Sequence, residues 1–199
     1  LTDPFASISG ALAYATSNYN DTSSVLVEVG PGTYAEDLTV TRYNTYVRSL
    51  AHRYEQRAVT VTGKTLVNYT GPQDKYNRII GFQGIFFNHS STTNPTFNIS
   101  GSRNLTYLKD CYLASNGASS LKVENVTTSS AKISISNCYF LGQSGSSDII
   151  SVNGGDVKMD SVEISYPSSV VAGTSNAINI NGNSLFAADR LLVEMPSKI

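Results

Sequence analysis

Apolar and polar residues alternate in short runs along most of the chain, beginning after Ser24. A period of two is typical of half-buried β-strands, and glycine, asparagine and serine separate the runs as turn residues do. Nothing between the runs resembles a crossover helix. The pattern therefore predicts an all-β domain, with clear strands in the runs VLVEV, DLTV, AVTVTG, PTFNIS, SLKVENV and DVKMDSVEI.

The first segment, DPFASISGALAYATSN, is the one part of the chain that predicts a convincing helix. Asp3 is the predicted N-terminal cap, and Pro4 suits the first helical position. Apolar residues at helical spacing form one face, which consists of Ile8, Ala11, Leu12 and Ala15. We expect residues 1–24 to form a capping helix and a linker.

Five later segments align as a loose repeat of about 25 residues, which indicates a solenoid. They are QGIFFN, KDCYLA, SNCYFL, MDSVEI and ADRLLV, and their second residues are Gly84, Asp110, Asn137, Asp160 and Asp189. A turn of this size cannot bury its own apolar side, so stacked turns must share one core. We expect about six to seven such rungs over residues 25–199.

The stretch VLVEVGPGTYAEDLTVTRYNTYVRSLA, followed by AVTVTG, resembles the opening rungs of pectin methylesterases and tailspike-like proteins, in the pectin-lyase-like superfamily. The resemblance is best near the N-terminus, and the later rungs share only the period and texture of the superfamily. It implies an all-β fold, a single-stranded right-handed parallel β-helix, in which the N-terminal helix caps the open end of the solenoid.

Pro31 and Gly32 predict a corner between two sheets of this solenoid. Proline restricts one backbone dihedral, and glycine permits a left-handed conformation. The acidic residues Glu36 and Asp37 follow the corner closely. We interpret them as acceptors of backbone hydrogen bonds in the first rung, in preference to a catalytic pair.

The resemblance does not extend to the catalytic motifs of the superfamily. Pectin methylesterase motifs of the Q-D-T-L and D-F-I-F-G type are absent, and Gln73 and Asp74 lie in a polar stretch without the apolar strand that should follow. The polygalacturonase motifs and the lyase base with its calcium-binding carboxylates are absent too. Because a fold alone does not determine function, the resemblance does not imply an enzyme.

The aligned carboxylates are the best catalytic candidates within the chain itself. Neighbouring rungs lie about 4.8 Å apart, so Asp160 and Asp189 would be about 5 Å apart, and Asp110 and Asp160 about 10 Å apart. Those separations resemble the carboxylate pairs of retaining and inverting glycosidases. The interpretation that we favour is a turn ladder, in which the aspartates and Asn137 hydrogen-bond adjacent turns.

Tyrosine and arginine concentrate between residues 42 and 78. Aromatic faces stack on sugar rings, and arginine binds hydroxyl or carboxylate groups, so a glycan-binding surface is one interpretation. A solvated face that packs against a neighbouring subunit is the other. The candidate ligand-binding residues are Tyr43, Tyr46, Arg48, Arg53 and Tyr54.

Cys111 and Cys138 occupy equivalent positions in successive repeats. Stacked rungs would bring them within the range of a disulfide. We favour two buried free thiols, because cysteine is among the most buried residue types. No histidine accompanies either one in the repeat, so a catalytic cysteine is not expected.

Composition argues against several classes of partner and cofactor. The 199 residues carry a formal net charge of -1 and only 15% are charged, which argues against a nucleic-acid partner, because phosphate binding needs a basic face. No run approaches the roughly 20 apolar residues of a membrane span. His52 and His89 lack ligand-like companions, so we expect no structural zinc and no cofactor.

These features favour a non-enzymatic β-helix module of a viral or phage particle. It would be structural or receptor-recognising, as part of a fibre, a spike or a capsid-associated protein, with a cell-surface glycan as the candidate ligand. We expect a homo-oligomer that contacts other proteins of the same assembly, at the virion surface or in another extracellular place.

Two other functions compete with this one. The first is a polysaccharide lyase or glycoside hydrolase that uses Asp160, Asp189 and Asp110. The second is a carbohydrate-binding adhesin domain of a cellular surface protein. The C-terminal stretch LLVEMPSKI has no obvious cap, so we expect further chain or a partner to cover that end of the solenoid.

Overall fold

The computed structural model describes residues 4–51, 57–69, 79–100, 105–124, 132–142, 147–166 and 176–194. These residues form one short helix followed by strands that all belong to one sheet system. No helix within these ranges is long and apolar enough to cross a bilayer. The elements are α1 (Ile8–Asn18), β1 (Val25–Val29), β2 (Gly32–Tyr34), β3 (Leu38–Val40), β4 (Thr45–Ser49), β5 (Val59–Val61), β6 (Thr65–Val67), β7 (Ile79–Gln83), β8 (Phe86–His89), β9 (Phe97–Ser100), β10 (Leu105–Lys109), β11 (Tyr112–Ser115), β12 (Leu121–Glu124), β13 (Lys132–Ser136), β14 (Tyr139–Gly142), β15 (Ile150–Ser165) and β16 (Ile178–Glu194).

The strands stack in three columns of parallel pairs, so the chain is a parallel β-solenoid with a short N-terminal helix. Column one contains β1, β4, β7, β10 and β13, then 156–160 of β15 and 184–189 of β16. Column two contains β2, β5, β8, β11 and β14, then the last parts of β15 and β16. Column three contains β3, β6, β9 and β12, then the first parts of β15 and β16. The predicted all-β solenoid is confirmed.

Apolar side chains that point inward from the three columns form one continuous core. In column one the buried residues in register are Val27, Val47, Phe82, Leu108, Ile135 and Met159. At mid-height, the rings of Phe82, Phe87 and Phe97 meet edge to face, with centroids 5.0–5.8 Å apart. Each of these phenylalanines comes from a different column, so the aromatic contacts tie the three columns together.

Helix α1 begins later than the sequence suggests. Ser7 is the N-cap, and its Oγ accepts a hydrogen bond from the Gly10 amide at 3.0 Å. Pro4 precedes the helix, so its predicted place at the first helical position is wrong. The predicted cap Asp3 lies outside the described residues. The helix starts at this point because the Ser7 hydroxyl satisfies one of the first-turn amides there.

The carboxylate of Glu36 supports the same end of the helix. It accepts hydrogen bonds from the amides of Ile8 and Ser9, each at 2.9 Å, and from the Ser9 hydroxyl. A negative charge is favourable at a helix N-terminus because of the helix dipole. The contacts attach α1 to the first turn of the solenoid, where its buried residues Ile8, Leu12 and Ala15 cover the core.

The corner of the first rung matches its predicted role only in part. Asp37 Oδ1 accepts a hydrogen bond from the Lys64 amide at 3.0 Å, so the interpretation of the acidic pair as backbone acceptors is confirmed. Gly32 was expected to adopt a left-handed conformation, and this is wrong. Its φ of 159° is close to extended backbone, because the residue already begins β2.

In later turns, the same corner between columns one and two uses left-handed residues repeatedly. They are Gly84, Asp110, Asn137, Ser161 and Arg190, with φ values of 70°, 54°, 53°, 55° and 54°. Asp160 pairs with Ser136 and Asp189, one position before this corner. The predicted alignment is therefore one residue out in the last two repeats. Met159 faces the core there, so alternation along the strand turns Asp160 outward.

Candidate functional site

Asp160 and Asp189 lie side by side on the outer face of column one. Asp160 Oδ1 accepts hydrogen bonds from Arg190, from Nη2 at 2.6 Å and from Nε at 3.2 Å. The hydrogen bond from the Arg190 guanidinium lowers the pKa of Asp160. A general acid in glycoside cleavage needs a raised carboxyl pKa. This arrangement is therefore suited to a surface ion pair and poorly suited to acid catalysis.

Asp110 is held in a hydrogen-bonded ladder along the left-handed corner. Its buried carboxylate accepts hydrogen bonds from Gln83 Nε2 at 3.1 Å and from Asn137 Nδ2 at 2.6 Å. The backbone continues the ladder, since the Asn137 amide donates to the Asp160 carbonyl at 2.9 Å. The predicted turn ladder is therefore present at Asp110 and Asn137, although these bonds join side chains to each other, where bonds from side chain to backbone were expected.

The two cysteines are buried free thiols on neighbouring turns. The Sγ atoms of Cys111 and Cys138 each lie 3.3 Å from a backbone carbonyl two residues earlier. Burial holds the pKa of the Cys138 thiol well above its ordinary value, which opposes a role as nucleophile. Within the described ranges, no group of three or more histidine, cysteine, aspartate or glutamate residues could hold a metal ion.

Part of the predicted glycan-binding cluster belongs to the interior. Tyr43 is buried and packs edge to face on Tyr69, with ring centroids 4.7 Å apart. Arg42 is buried as well, and its guanidinium donates to the carbonyls of Tyr43, Asn20 and Ser23. The assignment of Tyr43 to a ligand-binding surface is therefore wrong, because its ring cannot receive a sugar.

Tyr46, by contrast, faces outward from column one. It is in register with Gly81, which is in register with Tyr107. The two tyrosines stand two turns apart, yet their ring centroids are only 6.4 Å apart, so the rings lean toward each other. A Cβ on Gly81 would lie 2.2 Å from Tyr107 Cε1, so only glycine leaves room for this ring above β7.

Polar side chains run beside these rings in the next outward row. Arg48, Gln83 and Lys109 are in register on β4, β7 and β10. Arg48 forms an exposed ion pair with Glu28, one strand away. We call the set of Tyr46, Arg48, Gly81, Gln83, Tyr107 and Lys109 the Tyr46–Tyr107 surface. The other two predicted ligand-binding residues, Arg53 and Tyr54, lie outside the described residues.

The electrostatics of the Tyr46–Tyr107 surface favour a neutral hydroxyl on Tyr107. Burial, and then the neighbouring Tyr46, raise the pKa of Tyr107, so its hydroxyl stays protonated at neutral pH. The surface thus combines two half-buried rings, two cationic side chains and hydroxyl groups that can donate or accept hydrogen bonds.

A second aromatic stripe on the outer face of column two differs in geometry. Tyr112 stacks on Tyr139 with centroids 4.6 Å apart and meets Phe86 edge to face at 4.7 Å. The Arg57 guanidinium lies 4.7 Å from the centre of the Tyr112 ring. Because these rings and the guanidinium contact one another's faces, the stripe is a packing ladder and offers a ligand little free ring area.

Sequence reasoning missed Gln83, one turn of the solenoid after Arg48, and Tyr107 and Lys109, two turns after Tyr46 and Arg48. The signal that could have found them is the register of β4, β7 and β10, in which tyrosine, glycine and tyrosine occupy one row. No protein-family model, curated protein or solved structure matches the chain.

Proposed function

We propose that the protein is a non-enzymatic recognition module whose solenoid presents the Tyr46–Tyr107 surface to a glycan. The observation that carries the proposal is the pair of rings that lean together over Gly81 beside Arg48 and Lys109. Aromatic rings contact the apolar faces of sugars, and the adjacent polar side chains can bind hydroxyl or carboxylate groups.

The carboxylates support the non-enzymatic part of the proposal. Asp110 is buried in a hydrogen-bonded ladder, and Asp160 is paired with Arg190. Both carboxylates already accept hydrogen bonds from protein side chains, which favours a structural role for them. The setting that we propose is a viral or phage particle, and its support is the sequence resemblance to tailspike-like proteins. The same surface would serve a cellular adhesin.

A glycan array tests the proposal, with bound protein and released sugar measured on the same spots. We expect binding with intact glycan. Tyr46→Ala and Tyr107→Ala should each weaken binding by about tenfold, the equivalent of one lost ring contact. Tyr19→Ala is the matched control, since Tyr19 is an exposed tyrosine of the N-terminal end.

Two results would overturn the proposal in different ways. Release of sugar that is lost in Asp160→Asn would show a glycan-cleaving enzyme. Binding that survives both tyrosine substitutions, or no binding to any glycan, would remove the Tyr46–Tyr107 surface as a glycan site.

A further inference from the structure

A groove of about 830 Å³ lies between helix α1 and strand β1. All five residues of β1 line it in succession, whereas the outer face of a strand would contribute only alternate residues. The groove therefore runs along the edge of β1. The opposite wall is largely apolar and includes Phe5, Ile8, Ala11, Tyr14, Ala15 and Tyr19.

The edge of β1 that faces this groove has no strand beside it in the described part of the chain. The amide of Val25 donates to Asn44 at 2.8 Å, and the carbonyl of Val29 accepts from Leu50 at 2.8 Å, so these residues pair with β4. In a parallel pair the intervening residues direct their backbone groups the other way. The amides and carbonyls of Leu26 and Glu28 thus point toward the groove.

Apolar side chains remain exposed around the same groove. Four of them line it, namely Phe5, Tyr19, Leu26 and Leu50. The other large exposed apolar side chains of the described residues all lie on β16, at the opposite end of the solenoid. An apolar groove with an open strand edge is the combination that strand addition uses, with backbone hydrogen bonds for affinity and side-chain contacts for selectivity.

We propose that this groove is a docking site for one extended strand of a partner protein, which pairs with the free edge of β1 and packs against α1. The site allows a single strand and not a further rung of another solenoid, because α1 contacts both β1 and β3 and covers the core between them. A strand matched to β1 spans about five residues, or roughly 16 Å.

Strand β4, which already pairs with β1, indicates which side chains the partner strand would carry. In β4, Val47 lies beside Val27, and Arg48 forms an ion pair with Glu28. Among the described residues, Glu28 is also the one charged side chain that lines the groove. We therefore infer a partner strand that alternates apolar and polar residues and carries a lysine or arginine beside Glu28. This inference does not depend on the glycan proposal.

The test uses the full 199-residue chain and a synthetic acetylated, amidated peptide, NTYVRSL, which has the sequence of residues 44–50. Binding is measured by fluorescence anisotropy, and amide hydrogen exchange is followed by NMR. We expect the peptide to slow exchange at Leu26 and Glu28 by at least about tenfold, because new hydrogen bonds protect these two amides. Unchanged exchange at both amides would overturn the proposal.

Two peptides separate strand pairing from simple apolar contact. NTYVESL places a carboxylate beside Glu28, and we expect it to bind at least about fivefold more weakly than NTYVRSL. A version of NTYVRSL with an N-methyl group on every backbone amide cannot donate hydrogen bonds to the edge, and we expect it not to bind. Equal binding of all three peptides would overturn the proposal.

Two variants of Leu26 test whether its backbone amide takes part in peptide binding. Leu26→Pro removes an amide that makes no bond to β4, and proline is tolerated on such an edge. It should abolish peptide binding, whereas Leu26→Ala should weaken it by only a few-fold.

Sedimentation of the chain without peptide provides the last check. Self-association that protects the same two amides would assign the edge to a second copy and would overturn the proposal.

Discussion

At the N-terminal end of the solenoid, α1 lies across the first turn, and the inward-facing Leu38 and Val40 are 0% and 2% exposed. At the C-terminal end, β16 pairs with β15 alone in the described residues, and the inward-facing Ile180 and Val193 are 40% and 39% exposed. A repeating fold protects each turn with its neighbours, so an end needs a structure outside the repeat. Here the helix and its acidic anchor provide that structure at one end.

The largest expected difference between the ends concerns two glycines. A Cβ on Gly63 would lie 2.1 Å from the backbone oxygen of Glu36, whose carboxylate holds the start of α1. We expect Gly63→Ala to lower the free energy of unfolding by about 4 kcal/mol, because backbone atoms must move. Near the other end, the nearest atom to a Cβ on Gly182 is the side-chain oxygen of Asn153, at 2.6 Å, and the backbone is 3.9 Å away. Gly182→Ala should cost about 1 kcal/mol, mainly from its positive φ. Urea unfolding of both variants measures the two values, and equal costs would contradict the comparison.

Two apolar residues that face the core test its covering directly. Leu12 of α1 is buried, whereas Ile180 of β16 faces inward and is 40% exposed. We expect Leu12→Ala to cost about 3 kcal/mol and Ile180→Ala about 1 kcal/mol. Thermal and urea unfolding should agree on the order. A cost above about 2 kcal/mol for Ile180→Ala would mean that the C-terminal end is also covered in solution.

The next largest expected effect concerns Glu36, whose carboxylate anchors the start of helix α1. Glu36→Ala removes the acceptor of the Ile8 and Ser9 amides, and we expect a loss of about 2 kcal/mol in the free energy of unfolding. Asp189→Ala, at the exposed C-terminal end, is the matched control, with an expected change within about 0.5 kcal/mol. Hydrogen exchange in α1 should accelerate in the Glu36 variant. If the two variants unfold alike, the anchor does not hold the helix.

The smallest effect is the pH response of the C-terminal ion pair. The Arg190 guanidinium lowers the pKa of Asp160 in the folded state, so the pair stabilises the fold above the ordinary aspartate pKa near 4. This contribution is lost as the pH falls through the lowered pKa, and it is small because the pair is exposed. An NMR titration of the Asp160 carboxyl should show the pKa rising toward its ordinary value in Arg190→Gln. An unchanged pKa would exclude the ion pair.

Local patterns were sufficient for much of the fold. The alternation in β1, β3 and β13 reflects one buried face, so the sequence predicts these strands without knowledge of their partners. The helix was predicted from its apolar spacing, although its start was not. The cap depends on Ser7, and the carboxylate that supports it comes from Glu36 in the following rung.

The candidate site could be predicted only in part. Tyr46 and Arg48 were found from composition, but the same reasoning included Tyr43, which is buried. The alternation along β4 shows that Tyr46 and Arg48 face outward, but it does not show which way Tyr43 faces, because Tyr43 lies before the strand begins. Tyr107 joins the site only through the pairing of β7 with β10, which is a contact between distant parts of the sequence.

The sequence by itself determined that the chain alternates into short strands, stacks them as a solenoid and begins with a helix. These properties follow from local apolar periodicity and from turns too small to bury themselves. Only the tertiary structure decided the register between turns, which moves Asp160 off the left-handed corner and brings Tyr46 and Tyr107 together over Gly81. Register is set by packing in the shared core, and a shift of one residue changes which side chains face outward.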